Sequence, residues 1–98
     1  MIVRHVIMTF KDESTPDFLS LFENYKSDIR AAAGCSDLKL IQNNNNPNEI
    51  CTLSIWESEN HLNRYRSSEL FGIIWPKTKL LFSENPKATT YQLITDVT

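Results

Sequence analysis

The chain has 98 residues, a formal net charge of −2 and 22% charged residues. That length fits one domain over residues 1–98, which buries only about 60–65% of its unfolded surface and so sits near the lower limit of independent stability. The charge argues against a nucleic-acid footprint and an electrostatic membrane anchor, and the opening MIVRHVIMTF is too short and too broken by Arg4 and His5 for a signal peptide or membrane span, so the expected compartment is the cytoplasm.

Residues 2–10 alternate and are rich in Val, Ile, Met and Phe, the pattern of a strand. Val3, His5 and Ile7 fall on one side, and Ile2, Val6, Met8 and Phe10 on the other. The polar run KDEST breaks the strand. Ser14 and Thr15 can cap a helix, and Pro16 suits its first turn, where a missing N–H costs nothing. Phe18, Phe22, Tyr25, Ile29 and Ala32 then recur at helical spacing, which predicts a helix over residues 16–33 with Gly34 as its stop.

Residues 36–42 read as a second strand with Leu38 and Leu40 on one face. NNNNPN reads as a hairpin loop, because Asn tolerates positive φ and Pro47 cannot donate to a ladder. Residues 49–57, EICTLSIWE, are a third strand. Cys51, Leu53 and Ile55 read as its core side, with Ile50, Thr52, Ser54 and Trp56 opposite. A hairpin placing Gln42 near Glu49 sets Cys51 against Leu40, with Cys35 about 16 Å further along at strand rise. A disulfide needs Cα atoms within about 7 Å, so the two cysteines are expected to be free thiols. The chain carries no CxxC, HExxH or carboxylate-rich calcium loop, so no metal site is readable. A second subunit is the remaining source of stabilisation.

Ser58 should cap a short helix, ENHLNRY, and Ser67 or Ser68 a longer one, ELFGIIWPKTKLLF. The longer helix carries Leu70, Phe71, Ile74, Trp75, Thr78, Leu81 and Phe82 as a wide stripe. Pro76 lies inside it, four residues after Gly72, which predicts a kink. TTYQLIT is a fourth strand. The order β-α-β-β-α-β is the split βαβ plan: α+β, ferredoxin-like, a four-stranded antiparallel sheet with helices on one face. Both sheet faces are rich in apolar residues, where a solvated face should be cleanly polar. The expectation is a homodimer in which two copies close face to face into a dimeric α/β barrel.

IWESENHLNRYRSSELFGIIW combines a strand ending W-E-S-E, a short helix and then S-S-E-L-F. It resembles the antibiotic biosynthesis monooxygenase family of dimeric α+β barrels. AGCSDLKLIQN is similar to that family's G-C segment leading into strand two, and LFSENPKATTYQLI is compatible with its last strand, so the resemblance spans about residues 2–95. It implies a small oxygenase that attacks quinols or anthrones without metal or flavin, hence no cofactor. The haem-degrading branch uses an Asn on strand one, a Trp on the short helix and a His ligand on the next. Here those places hold no Asn, Tyr65 and Trp75, so that branch is not matched.

Cofactor-free oxygenation requires an electron-rich anion, because ground-state oxygen accepts one electron at a time. It therefore calls for a base, hydrogen-bonding groups and dry aromatic walls. His5 is the candidate base, and Tyr65 the residue that orients the substrate or its oxyanion. Phe22, Trp56, Phe71 and Trp75 are the candidate ligand contacts. Each has a plainer reading: His5 as an interior or interface histidine, Tyr65 as a cap on the core, and the others as core. His61, among polar neighbours, is expected to be exposed. Arg4 either binds an anion or pairs with a carboxylate across the dimer. Two functions fit: a cofactor-independent monooxygenase acting on a small aromatic or quinol-like compound, or a non-catalytic small-ligand-binding or regulatory module on the same barrel.

Overall fold

The alternation in MIVRHVIMTF forms one strand, and pairing on both edges puts it inside the sheet. A computed structural model describes residues 1–97. Its elements are β1 (Ile2–Thr9), α1 (Thr15–Arg30), β2 (Cys35–Asn43), β3 (Asn46–Trp56), α2 (Glu59–Arg66), α3 (Glu69–Lys79) and β4 (Lys87–Gln92), with a short 3-10 turn at Asp12–Ser14. The four strands form one sheet in the order β2-β3-β1-β4, and every neighbouring pair is antiparallel. This is the expected ferredoxin-like α+β plan.

The register decides which side chains the helices cover. Ile2 pairs with Trp56, Arg4 with Ser54, Val6 with Thr52 and Met8 with Ile50. Leu38 pairs with Ser54 and Leu40 with Thr52. Ile2, Met8, Ile50, Ser54 and Trp56 are buried, and Trp56 packs with Leu62 of α2, so this set faces the helices. The expected core side of β3 is therefore reversed: Cys51, Leu53 and Ile55 lie on the back. The cause is the hairpin. Asn43 pairs with Asn46, and Gln42 pairs with Ile50 across an irregularity. Side chains replace the lost ladder bonds: Gln42 Nε2 donates to the Pro47 carbonyl at 2.9 Å and Asn43 Nδ2 to Glu49 Oε2 at 2.9 Å. Cys51 then faces Ile41 rather than Leu40. A one-residue slip exchanges the faces of a strand. The turn itself uses no positive φ at any Asn.

A second irregularity lies between Cys35 and Asp37, and Cys35 turns inward to pack with Ile2, Trp56 and Leu62. Both cysteines are free and buried, on opposite faces. Burial raises the pKa of each thiol above its ordinary value.

The helix ends follow local chemistry in part. Ser58 Oγ accepts from the His61 N–H and Ser68 Oγ from the Phe71 N–H, the two expected caps. Ser14 makes no side-chain cap; instead Thr15 Oγ1 donates to Asn48 Oδ1 at 2.7 Å, tying the start of α1 to β3. Asn48 Nδ2 also reaches Asp12 Oδ1. α1 ends at Arg30, before Gly34, whose φ is +84°. A Cβ at Gly34 would also strike the His61 ring, so two separate constraints call for glycine there. α3 contains Pro76 and stops at Lys79, short of the expected residue 82. Tertiary pairing takes over beyond it: Phe82 bridges to Phe10, and the Ser83 N–H donates to the Thr9 carbonyl at 2.9 Å.

Candidate functional site

A cavity of about 250 Å³ lies between the front of the sheet and the three helices. Its walls are the side chains that the strand and helix periods aim inward. Phe22 comes from α1, Trp56 from β3, Tyr65 from α2, and Phe71 and Trp75 from α3. All five expected aromatic residues thus meet at one place. They join in sequence: Trp56 stacks on Tyr65 at 5.1 Å between centroids and Tyr65 on Phe71 at 5.4 Å. Trp75 then meets Phe71 edge-on at 5.6 Å. Such geometries are the favoured ones for aromatic pairs.

Trp56 is 1% exposed, and its indole N–H donates to Ser54 Oγ at 2.9 Å. It is structural support as well as wall. The Tyr65 hydroxyl is pushed up to a pKa of about 12, chiefly by burial and then by Cys35, with no hydrogen bond offsetting them. At neutral pH this group is a hydrogen-bond donor, not a base.

Besides Tyr65, the polar part of the lining comes from Arg4, Thr52 and Ser54 on the sheet, Arg66 at the end of α2 and Thr78 on α3. Arg4 Nη1 donates to Thr90 Oγ1 of β4 at 2.8 Å. Its pKa is lowered by burial first and by Arg66 second. Arg66 was not singled out from the sequence. Its signal was there: Leu62, Tyr65 and Arg66 share one helical stripe at i, i+3 and i+4, and all three line the cavity.

His5 is not in the lining. It follows Arg4 on β1, pairs with Leu53 and Thr89, and by strand alternation points to the back of the sheet. The two candidate catalytic groups, His5 and Tyr65, are therefore on opposite sides of the layer. His61 also differs from expectation. It is half-buried, with Nδ1 2.7 Å from Ser58 Oγ and Nε2 3.7 Å from a Glu57 carboxylate oxygen. Among the described residues no group of three or more His, Cys, Asp or Glu side chains is placed to hold a metal, and no helix is long and apolar enough to cross a membrane.

The family model described as antibiotic biosynthesis monooxygenase matches residues 1–73. The chain belongs to the antibiotic biosynthesis monooxygenase family. The matched segment includes Arg4, Phe22, Trp56, Tyr65, Arg66 and Phe71, and leaves Trp75 and β4 outside it. No curated protein matches this family member by sequence. Its fold is shared with a crystal structure of an antibiotic biosynthesis monooxygenase, at 15% identity and a TM-score of 0.90, covering 97% of this chain and 100% of that one. A conserved protein from Methanosarcina mazei Go1 superposes with a TM-score of 0.88 at 22% identity, over 94% of this chain and 92% of the other. Rv0793 from Mycobacterium tuberculosis gives 0.90 at 13% identity, over 99% and 98%. At such identities the likeness speaks for the fold alone.

Proposed function

We propose that this family member is a monooxygenase that oxidises a small aromatic or quinol-like compound in the cavity, without metal or flavin. One observation carries the reading: aromatic side chains from four separate elements line a single cavity, with the protonated Tyr65 hydroxyl among them. Such walls can hold a flat ring and displace water from its faces. Tyr65 donates a hydrogen bond to the substrate oxygen on which negative charge develops.

The lining contains no His, Asp, Glu or Lys. The substrate anion is therefore favoured by stabilisation rather than by abstraction. A phenolic oxygen facing Tyr65 and the guanidinium of Arg4 ionises more readily, and its proton leaves to solvent. The anion passes electrons to oxygen one at a time. In an anthrone a ring methylene becomes a carbonyl, and in a quinol with a free ring position a ring C–H becomes C–OH as the quinol becomes a quinone. In each case one oxygen atom enters the product and the other leaves as water. All four electrons come from the substrate, so no outside reductant is needed.

A homodimer belongs to the same reading. The back of the sheet presents Val3, Ile7, Leu53 and Ile55 half-exposed, with Ile41 and Tyr91 exposed at its edges. A second copy covers that face, and His5 lies within it, away from the cavity. The missing base favours one rival, a non-catalytic ligand-binding or regulatory module using the same cavity.

The test is oxygen consumption with a menadiol-type quinol or an anthrone. Wild type is expected to exceed the spontaneous rate, with Tyr65→Phe slower by about tenfold to a hundredfold. No excess rate across several such substrates overturns the oxygenase and leaves the binding module.

A further inference from the structure

Two arginines line an otherwise largely apolar cavity, Arg4 from β1 and Arg66 from the last residue of α2. No Asp or Glu lines it, and among the described residues neither arginine forms an ion pair. Arg4 uses one donor on Thr90. A guanidinium has five N–H donors, so several remain free. The two like charges are near enough for Arg66 to depress the Arg4 pKa, behind the larger effect of burial. Like charges held near each other repel, and an anion between them turns repulsion into attraction.

We propose that the cavity binds an aromatic carboxylate, its ring against Tyr65, Phe71 and Trp75 and its carboxylate between Arg4 and Arg66. This rests on the cavity being the ligand site and narrows the class of ligand it takes. A carboxylate matches the arginine fork through two parallel hydrogen bonds and is flat like the ring that carries it. It is also ionised at neutral pH without help from a base, which this lining lacks. At about 250 Å³ the cavity is smaller than the range of about 300–1,000 Å³ for drug-sized ligands, which limits the ligand to one or two rings.

Calorimetric titration of the full chain at neutral pH and low salt tests this, with 2-naphthoate, neutral 2-naphthol and cationic 2-naphthylmethylamine as probes. 2-Naphthoate is expected to bind about tenfold or more tighter than 2-naphthol, with the amine weakest. Arg66→Gln, at an exposed position, and Arg4→Gln each remove most of that preference, read in each variant as the ratio of naphthoate to naphthol affinity; Arg4→Lys keeps part of it. Equal affinity for naphthoate and naphthol in the wild type overturns the charge assignment and leaves the cavity as a ligand site. So does a preference that survives in the doubly substituted protein. Binding of none of the three overturns the charge assignment and the cavity reading together.

Discussion

The two faces of the sheet carry opposite mixtures for opposite reasons. On the front, Ile50 and Trp56 are each 1% exposed, yet Arg4, Thr52 and Ser54 stand among them. On the back, Val3, Ile7, Leu53 and Ile55 form the more uniformly apolar set, yet they are only half-buried, and Tyr91 is 52% exposed. The side that looks like a core by composition is the side the helices do not cover. The front can hold polar groups because a cavity lies over them. The back is apolar without any cover from its own chain, which is what an interface between copies requires.

The sharpest way to break the comparison is to empty the front. Trp56→Ala removes the largest fully buried side chain and should cost about 3–5 kcal/mol in chemical denaturation. A loss under about 1 kcal/mol would mean that the front is not the core. On the back, Leu53→Lys should lower the solution mass from two chains to one at micromolar concentration. Burying an unpaired ammonium there weakens dimer affinity by about a hundredfold or more. A wild-type mass of one chain would remove the second copy from the account.

A smaller effect isolates the buried hydroxyl of the front. In the unfolded chain Tyr65 ionises near pH 10, but in the folded protein only at about 12. The unfolded state therefore holds fewer protons across that interval, so stability is complete below pH 10 and falls as pH rises through 12. Wild type should lose on the order of 2 kcal/mol more than Tyr65→Phe over that window, read by urea denaturation. Equal losses would place the hydroxyl in water. The smallest effect belongs to the back edge, where Lys39 Nζ meets Asp37 Oδ2 at 2.8 Å with both side chains well exposed. Lys39→Ala should change stability by less than about 0.5 kcal/mol.

Much of the fold was legible along the chain. The strand and helix periods, the Ser58 and Ser68 caps and the element order all follow from neighbours a few residues apart. The aromatic wall was legible too, because Phe71 and Trp75 sit one helical turn apart and Trp56 ends a strand leading into Tyr65's helix. The polar members were harder to see. Thr52 and Ser54 were placed opposite the expected core side of β3, and Arg66 was not singled out, because a residue's type does not say whether the space before it is water or cavity.

Local spacing was enough to divide each strand into two faces and each helix into a stripe and a back. Which strand face met the helices depended on contacts between residues far apart in the chain. The irregularities after Cys35 and Gln42 shift β2 against β3, and packing of Trp56 with Leu62 and Tyr65 selects the front. The same selection sent His5 away from the cavity and brought Arg66 to it. A period of two makes alternate residues opposite, but it is blind to which side is in; only the burial of one complete face against another part of the chain resolves that.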